Sequence, residues 1–143
     1  MLHNVTDEPA TLTPAELHEA YEAEVRAVLE DRDIDAVAAE TGLSPETLVA
    51  LAEGESPPLT LSEAAAVLAL DAPNLDADTI VREVRDHLLM GMTTGVLDVD
   101  TIASNVDLDL SGQEIQQAIE GRTRMTLAEL AAIQNYVAGR NDR

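Results

Sequence analysis

The chain has 143 residues, of which 28 are acidic and 8 are basic, and its formal net charge is -20. It contains no cysteine, tryptophan or phenylalanine and only two tyrosines, which excludes disulfide frameworks, cysteine-based metal sites and the aromatic platforms that stack on RNA or single-stranded nucleic acid. Hydrophobic residues make up 45% of the chain, so aliphatic side chains can supply a core.

Helix-start signals recur along the chain, and apolar residues follow each of them at helical spacing. Residues 13–16 (TPAE) are a capping box with proline at the first helical position, and residues 126–129 (TLAE) are the last of five caps. Gly42, Gly54 and other breakers separate the segments. The sequence therefore predicts an all-α fold of about eight short helices, over 14–30, 34–41, 45–53, 61–70, 78–95, 99–105, 112–120 and 127–138.

The two halves of the chain repeat the same series of signals. The matching segments are 33–38 with 98–103, 48–54 with 115–121, and 60–63 with 126–129. The register shifts by two residues in a turn of the second copy, where an insertion costs little. We therefore predict two tandem units in one compact bundle. The boundaries are a flexible N-terminus (1–12), a first unit (13–70), a linker (71–77), a second unit (78–138) and a tail (139–143).

The first copy has the residues of a compact two-helix motif. Val37 lies on a short predicted helix, Gly42 occupies a tight turn, and residues 43–44 (LS) open a second helix that Leu48 and Leu51 can pack on the first. This pattern resembles the lambda-repressor-like (Cro-type) helix-turn-helix family, in two tandem divergent copies. The resemblance implies that the second helix of the motif enters the major groove of double-stranded DNA.

In the first copy that helix offers no arginine, lysine, asparagine or glutamine, and Glu46 repels phosphate. We therefore expect the first unit to be degenerate, acidic and unable to read DNA. Its exposed candidates are Pro45, Glu46, Thr47, Val49 and Ala50.

The second copy differs, because its helix carries three glutamines and two arginines follow it. These are the candidate DNA-binding residues: Gln113, Gln116, Gln117, Arg122 and Arg124. Glutamine can pair with adenine, and arginine with guanine or phosphate. The alternative interpretation is that the glutamines are solvated helix surface. The turn at 105–110 lacks glycine, so we expect Asn105 or Asp107 to adopt the left-handed conformation.

Residues 88–97 (LLMGMTTGVL) form an apolar stretch without charge, about half the length of a membrane span of ~20 residues. Uncharged residues surround the whole predicted helix, and two glycines four residues apart permit close backbone approach. We predict an interface with a protein partner or a second copy. Its candidate residues are Leu88, Met90, Gly91, Met92 and Gly95. The other interpretation, which the pattern favours, is a buried central helix.

The acidic residues alternate with apolar positions rather than forming runs, which favours adaptation to molar intracellular salt over mimicry of DNA. The whole chain also resembles a haloarchaeal family of small acidic proteins with no assigned function, on residues 87–97 and 114–122. Glu83 and His87 are spaced four apart beside Asp86, an arrangement more typical of a helix surface than of a metal site.

The sequence contains no nucleophile motif and no phosphate-binding loop, so we predict neither enzyme activity nor a cofactor. The first ten residues lack a signal-peptide pattern, which predicts a cytoplasmic protein without a membrane partner. The favoured function is a DNA-associated or transcription-related regulator that uses the second unit. The alternative is a protein-interaction or adaptor module that has lost DNA binding.

Overall fold

The computed structural model describes Leu2 and residues 9–141. Eight α-helices lie in this part of the chain: α1 (Pro14–Leu29), α2 (Ile34–Thr41), α3 (Pro45–Ala52), α4 (Leu61–Leu68), α5 (Ala77–Gly95), α6 (Val99–Asn105), α7 (Gly112–Ile119) and α8 (Leu127–Asn141). Over the described residues the fold is therefore all-α, as predicted, and one isolated antiparallel bridge is its only β pairing.

The helices begin where the capping residues predict. Thr13, Thr60 and Ser111 each accept a backbone hydrogen bond from a glutamate three residues later, whose side chain bonds back to the cap. The helix ends differ more from the prediction. The α4 helix ends two residues early, in a 3-10 turn (Ala69–Asp71), and α8 runs three residues beyond the predicted end at 138.

The two halves of the chain meet at the caps of α4 and α8. Thr60 pairs with Thr126 in the antiparallel bridge. On either side of this pair, Leu61 N donates to Met125 O (2.7 Å) and Leu127 N donates to Leu59 O (2.9 Å). The two bonds relate equivalent residues of the two units, so the bridge has local two-fold symmetry.

Helix packing also joins the halves. The α1 helix packs more extensively on α8 than on α4, and α5 packs on both α4 and α8. The core between them is aliphatic apart from Tyr21, which is 1% exposed, and burial raises the pKa of its phenol well above the ordinary value. Each half therefore covers the apolar face of the other, and the two predicted units share one core.

The start of the chain departs from the predicted flexible N-terminus. Leu2 is buried, and a 3-10 turn (Pro9–Thr11) lies on α8. Asn135 Nδ2 donates to Pro9 O (3.0 Å) and to Leu12 O (2.6 Å), which fastens this turn to the bundle. The rest of the predicted flexible segment, 3–8, and positions 142–143 of the predicted tail lie outside the described residues.

Within the described part of the chain, no helix combines the length and the apolar composition needed to cross a membrane.

Candidate nucleic-acid and partner interfaces

The turns between the paired helices α2–α3 and α6–α7 are built differently. Gly42 ends α2 in the left-handed conformation (φ 78°), as predicted. In the second unit neither Asn105 nor Asp107 adopts a positive φ, so that prediction is wrong. The longer turn instead packs Val106 and Leu108 against the core, and this spacing reverses the chain without a left-handed residue.

The candidate DNA-binding residues lie on and just after α7, and most of them are exposed. Gln113, Gln116, Arg122 and Arg124 are on the surface, whereas Gln117 is half-buried. Glu120 connects two of them. Gln116 Nε2 donates to Glu120 Oε1 (2.8 Å), and Arg122 Nε lies 3.2 Å from Glu120 Oε2.

The remaining candidates are arranged around this pair. Gln117 and Arg124 line one small cleft together with Thr123, and Gln113 lies a turn earlier on α7. The structure thus brings Gln116 and Arg122 to the same glutamate, Glu120. It places Gln117 and Arg124 in one cleft, which Glu114 and Glu129 also line.

Two further arginines, missed by the sequence analysis, extend this surface. Arg82 and Arg85 on α5 line a groove of about 580 Å³ that runs to the end of α7. The Arg85 guanidinium lies flat against Gly121, where a Cβ would come within 2.7 Å of Nη1. Their i, i+3 spacing places both on one helix face, but only the packing of α5 beside α7 brings that face to the candidate site.

Three of the four guanidinium groups of this surface form no ion pair within the described part of the chain, whereas Arg122 pairs with Glu120. The Nε of Arg85 is buried without a hydrogen bond. Among the described residues, neither Arg82, Arg85 nor Arg124 forms an ion pair. Half of the eight arginines of the chain therefore lie near the end of α7. Three of these four form no ion pair with the acidic residues that the structure describes, although the chain has 28 acidic residues. Asp78, Asp86 and Glu120 also line the groove.

Residues of α1 in the first unit can be aligned with residues of α5 in the second unit. The N-caps Thr13 and Asp76 begin α1 and α5, and the buried residues Leu17, Tyr21 and Val25 recur as Ile80, Val84 and Leu88 at the same spacing. This alignment puts Glu22 where the second unit has Arg85, and Arg26 where it has Leu89.

At these positions the first unit fills its own groove. Glu22 is 2% exposed and accepts a hydrogen bond from Ser56 Oγ (2.6 Å). Arg26 donates from Nε to Leu51 O (2.5 Å) and from Nη2 to Glu55 O (3.1 Å). The polar side chains of α1 are thus used to hold the loop after α3, which leaves no guanidinium there for a ligand.

The predicted interface at 88–97 needs correction. Leu88 is fully buried (0% exposed), so its assignment to an interface is wrong and the central-helix alternative holds for it. The two glycines serve contacts within the chain. A Cβ on Gly91 would come within 2.7 Å of Val137 Cγ1, and one on Gly95 within 2.7 Å of Asn141 Oδ1, because α8 crosses α5 there.

A different part of the same segment is exposed. Met90, a predicted interface residue, is 67% exposed, whereas Met92 is half-buried against the core. Leu89 (44% exposed) and Val96 (90% exposed) were missed, because their exposure depends on which side of α5 the end of α8 covers.

Among the described residues no group of three histidine, cysteine, aspartate or glutamate side chains is placed to hold a metal ion. The profile of a family of unknown function (DUF5791) matches residues 17–140. No curated protein and no solved structure matches the chain. The family description assigns no activity.

Proposed function

The chain belongs to this family of unknown function (DUF5791), and we propose that it is a DNA-associated regulator that contacts double-stranded DNA with its second unit. One observation carries the proposal: unpaired guanidinium groups collect beside α7, in a chain where carboxylates are abundant. A buried guanidinium nitrogen without a partner is costly, and a DNA phosphate would satisfy it.

Each residue type then has a distinct role. Arg82 and Arg85 contact backbone phosphates and set the position of α7, whereas Gln113 and Gln116 reach base edges. Gln116 is bound to Glu120 in the free chain. That bond is exposed and contributes about 1 kcal/mol or less, so contact with an adenine can replace it.

Salt sets the limits of this binding. We propose that the chain works in molar salt, where its net charge of -20 is screened. Four phosphate contacts would lose about five decades of affinity between roughly 0.1 and 3 M salt. Affinity at high salt must therefore come mainly from base contacts and DNA shape, and the arginines act as positioning contacts.

The test is genome-wide crosslinking of the tagged full-length chain in its host at native salt. The variant is Arg85→Ala/Arg124→Ala. The control is Arg140→Ala with Arg32→Ala, which removes the same charge far from α7. We expect discrete peaks for the wild type and the control and at least a tenfold loss of occupancy in the variant. A flat profile from folded wild-type protein, or peaks that the variant retains, would overturn the proposal.

The exposed apolar residues of α5 favour a second candidate function, a protein-interaction module that has lost DNA binding. Leu89, Met90 and Val96 are exposed in an otherwise acidic chain, and such side chains mark contact surfaces. The same crosslinking samples distinguish the two functions. A flat DNA profile together with a stoichiometric protein partner, lost on Val96→Asp, would support the interaction module.

A further inference from the structure

The exposed end of α5, which we call the α5 tip, comprises Leu89, Met90, Thr93 and Val96. We propose that the tip joins two copies of this chain into a two-fold symmetric dimer. This inference goes beyond DNA binding and does not depend on it.

The residue that carries the inference is Val96. It ends α5 in the left-handed conformation, with φ 53°. That conformation strains a β-branched side chain. Backbone hydrogen bonds from Val96 N to Thr93 O (3.2 Å) and from Leu97 N to Met92 O (2.8 Å) close the end of the helix. The Val96 side chain is 90% exposed, so no side-chain packing within the chain compensates for a valine at this position.

The first unit shows what the fold alone requires at this place. Asp31 lies two residues before the N-cap of α2, and Val96 lies two residues before the N-cap of α6, so the two positions are equivalent. Asp31 is also left-handed, with φ 63°. Aspartate tolerates this conformation better than valine does, and it suits an acidic surface. A valine at the equivalent position therefore indicates a requirement from outside the isolated chain.

The neighbouring tip residues follow the same pattern. The first unit has Arg26 and Ala27 where the tip has Leu89 and Met90. Arg26 is half-buried and bonds to Leu51 O and Glu55 O, so it has a role within its own unit. At the exposed positions Ala27 and Asp31 a small or charged residue is replaced by a large apolar one. Because the two units share their helix order, the fold gives no reason for this change.

The shape and charge of the tip fit a second copy. A shallow groove of about 410 Å³ adjoins Val96 and is lined by Leu89, Met92 and Thr93. The same patch therefore holds a projecting side chain and a recess, as a two-fold interface requires, since each surface must fit itself. No residue of 88–97 is charged, but Asp98 also lines the groove, so the Asp98 carboxylates of two copies come close to the apolar centre.

The edge of the interface sets its salt dependence. A stable interface takes about 800 Å² from each partner, about a tenth of the 7798 Å² surface of this chain. It must therefore extend beyond the tip to Asp86 and Asp98, which are exposed on either side. Each copy has a net charge of -20, so two copies repel each other, and added salt strengthens the dimer by screening that repulsion. A partner with a basic edge would show the opposite dependence.

The experiment is sedimentation equilibrium of the purified full-length chain, at low salt and in molar KCl, over a hundredfold range of protein concentration. We expect a dimer whose dissociation constant is at least tenfold lower in molar KCl. Val96→Asp, which installs the residue of the first unit, should weaken association at least a hundredfold while the monomer keeps the helix content of the wild type by circular dichroism. Val49→Asp makes the same change at an exposed position on α3 and should leave the dimer intact.

Three results would overturn the inference: a monomeric wild type in molar KCl, a dimer that salt weakens, or a Val96→Asp chain that still dimerises. Met90→Glu is the second variant, in case Val96→Asp does not fold. It lies on the regular part of α5, and it should also produce a monomer. A folded Met90→Glu chain that dimerises like the wild type would count against the tip as the interface.

Discussion

In the first unit the groove between α1 and the loop after α3 is closed by the side chains of the chain itself, whereas the corresponding groove of the second unit is open. Glu22 and Arg26 bond to that loop in the first unit. In the second unit Arg85 lies unpaired on Gly121, and Leu89 leaves the groove unfilled. In the described part of the chain, each half keeps one buried side-chain atom without a hydrogen bond, Glu22 Oε2 and Arg85 Nε. The halves differ in that α1 side chains bond to their own unit, whereas Arg85 makes no such bond among the described residues.

The two units have the same helix order and the same kinds of stabilising contacts. Equivalent caps, equivalent buried positions and a shared bridge indicate that each unit needs the same contacts for stability. An exposed side chain that differs between equivalent positions, and makes no bond within its own unit, is therefore free of that requirement. In the second unit the positions that differ in this way lie near the end of α7 and at the α5 tip.

The largest expected effect is on the free energy of unfolding, and its measurement tests whether the two units contribute equally to stability. Leu61 and Leu127 are the first residues of α4 and α8 and are 1% and 0% exposed. Leu61→Ala and Leu127→Ala should each cost about 2–5 kcal/mol, from lost burial and a residual cavity. Chemical denaturation should show one transition for both, because α1 packs on α8 and α5 on α4.

Val49→Ala, at a position 41% exposed, is the control and should change stability by less than about 0.5 kcal/mol. Two separate transitions would contradict a shared core. A strongly unequal cost of the two leucine substitutions would show that the units do not carry stability equally.

A smaller effect, that of alanine at a helix-ending glycine, distinguishes the first unit from the second. Gly54 and Gly121 both end their helices in the left-handed conformation, with φ 89° and 84°, so alanine at either should cost about 1 kcal/mol. A Cβ at Gly54 meets nothing within 4 Å, whereas one at Gly121 would push the Arg85 guanidinium aside. That group is the end of a flexible side chain, so it can move without unfolding the bundle.

We therefore expect Gly54→Ala and Gly121→Ala to be destabilised alike in urea. If the second unit binds DNA as proposed, only Gly121→Ala should lose affinity, by about tenfold, in a binding assay on a fragment recovered by crosslinking. If the two variants bind the DNA fragment with equal affinity, Arg85 does not belong to the proposed DNA-binding site.

The parts of the fold that depend on local sequence were predictable. Thr13, Thr60 and Ser111 begin helices because the capping box acts between residues three apart. Gly42 has the expected conformation because a tight turn needs a positive φ. These interactions need no knowledge of distant residues, and the all-α fold followed from them.

The surfaces depend on contacts between distant residues, which a sequence pattern does not contain. Leu88 and Leu89 are adjacent and equally apolar, yet α5 buries the first and exposes the second. Arg85 joins the candidate site only because α5 packs beside α7. Gly91 and Gly95 contact α8 because that helix is long enough to reach them: its last residue, Asn141, donates from Nδ2 to Gly91 O (3.1 Å). The conserved order of the repeats did allow these positions to be compared once the packing was known.

The smallest expected effect is a difference in acid sensitivity between the units. The backbone N–H groups of Thr79 and Thr101 donate to Asp76 and Asp98, each at 2.8 Å. These bonds hold the pKa of both carboxyls below the ordinary value of 3.8. In the first unit the matching caps are Thr13, which has no carboxyl group, and Asp33, which makes no side-chain capping bond.

A folded-state pKa below the unfolded one means that the two caps stabilise the folded chain above pH 3.8, and that this stabilisation is lost as the pH falls through the folded-state pKa. Asparagine keeps the acceptor oxygen but does not titrate. The Tm of Asp76→Asn/Asp98→Asn should therefore fall a few degrees less than that of the wild type between neutral and strongly acidic solution, and Asp33→Asn should behave like the wild type. If the double variant is as acid-sensitive as the wild type, the acid response arises elsewhere among the 28 acidic residues, and the caps do not distinguish the units.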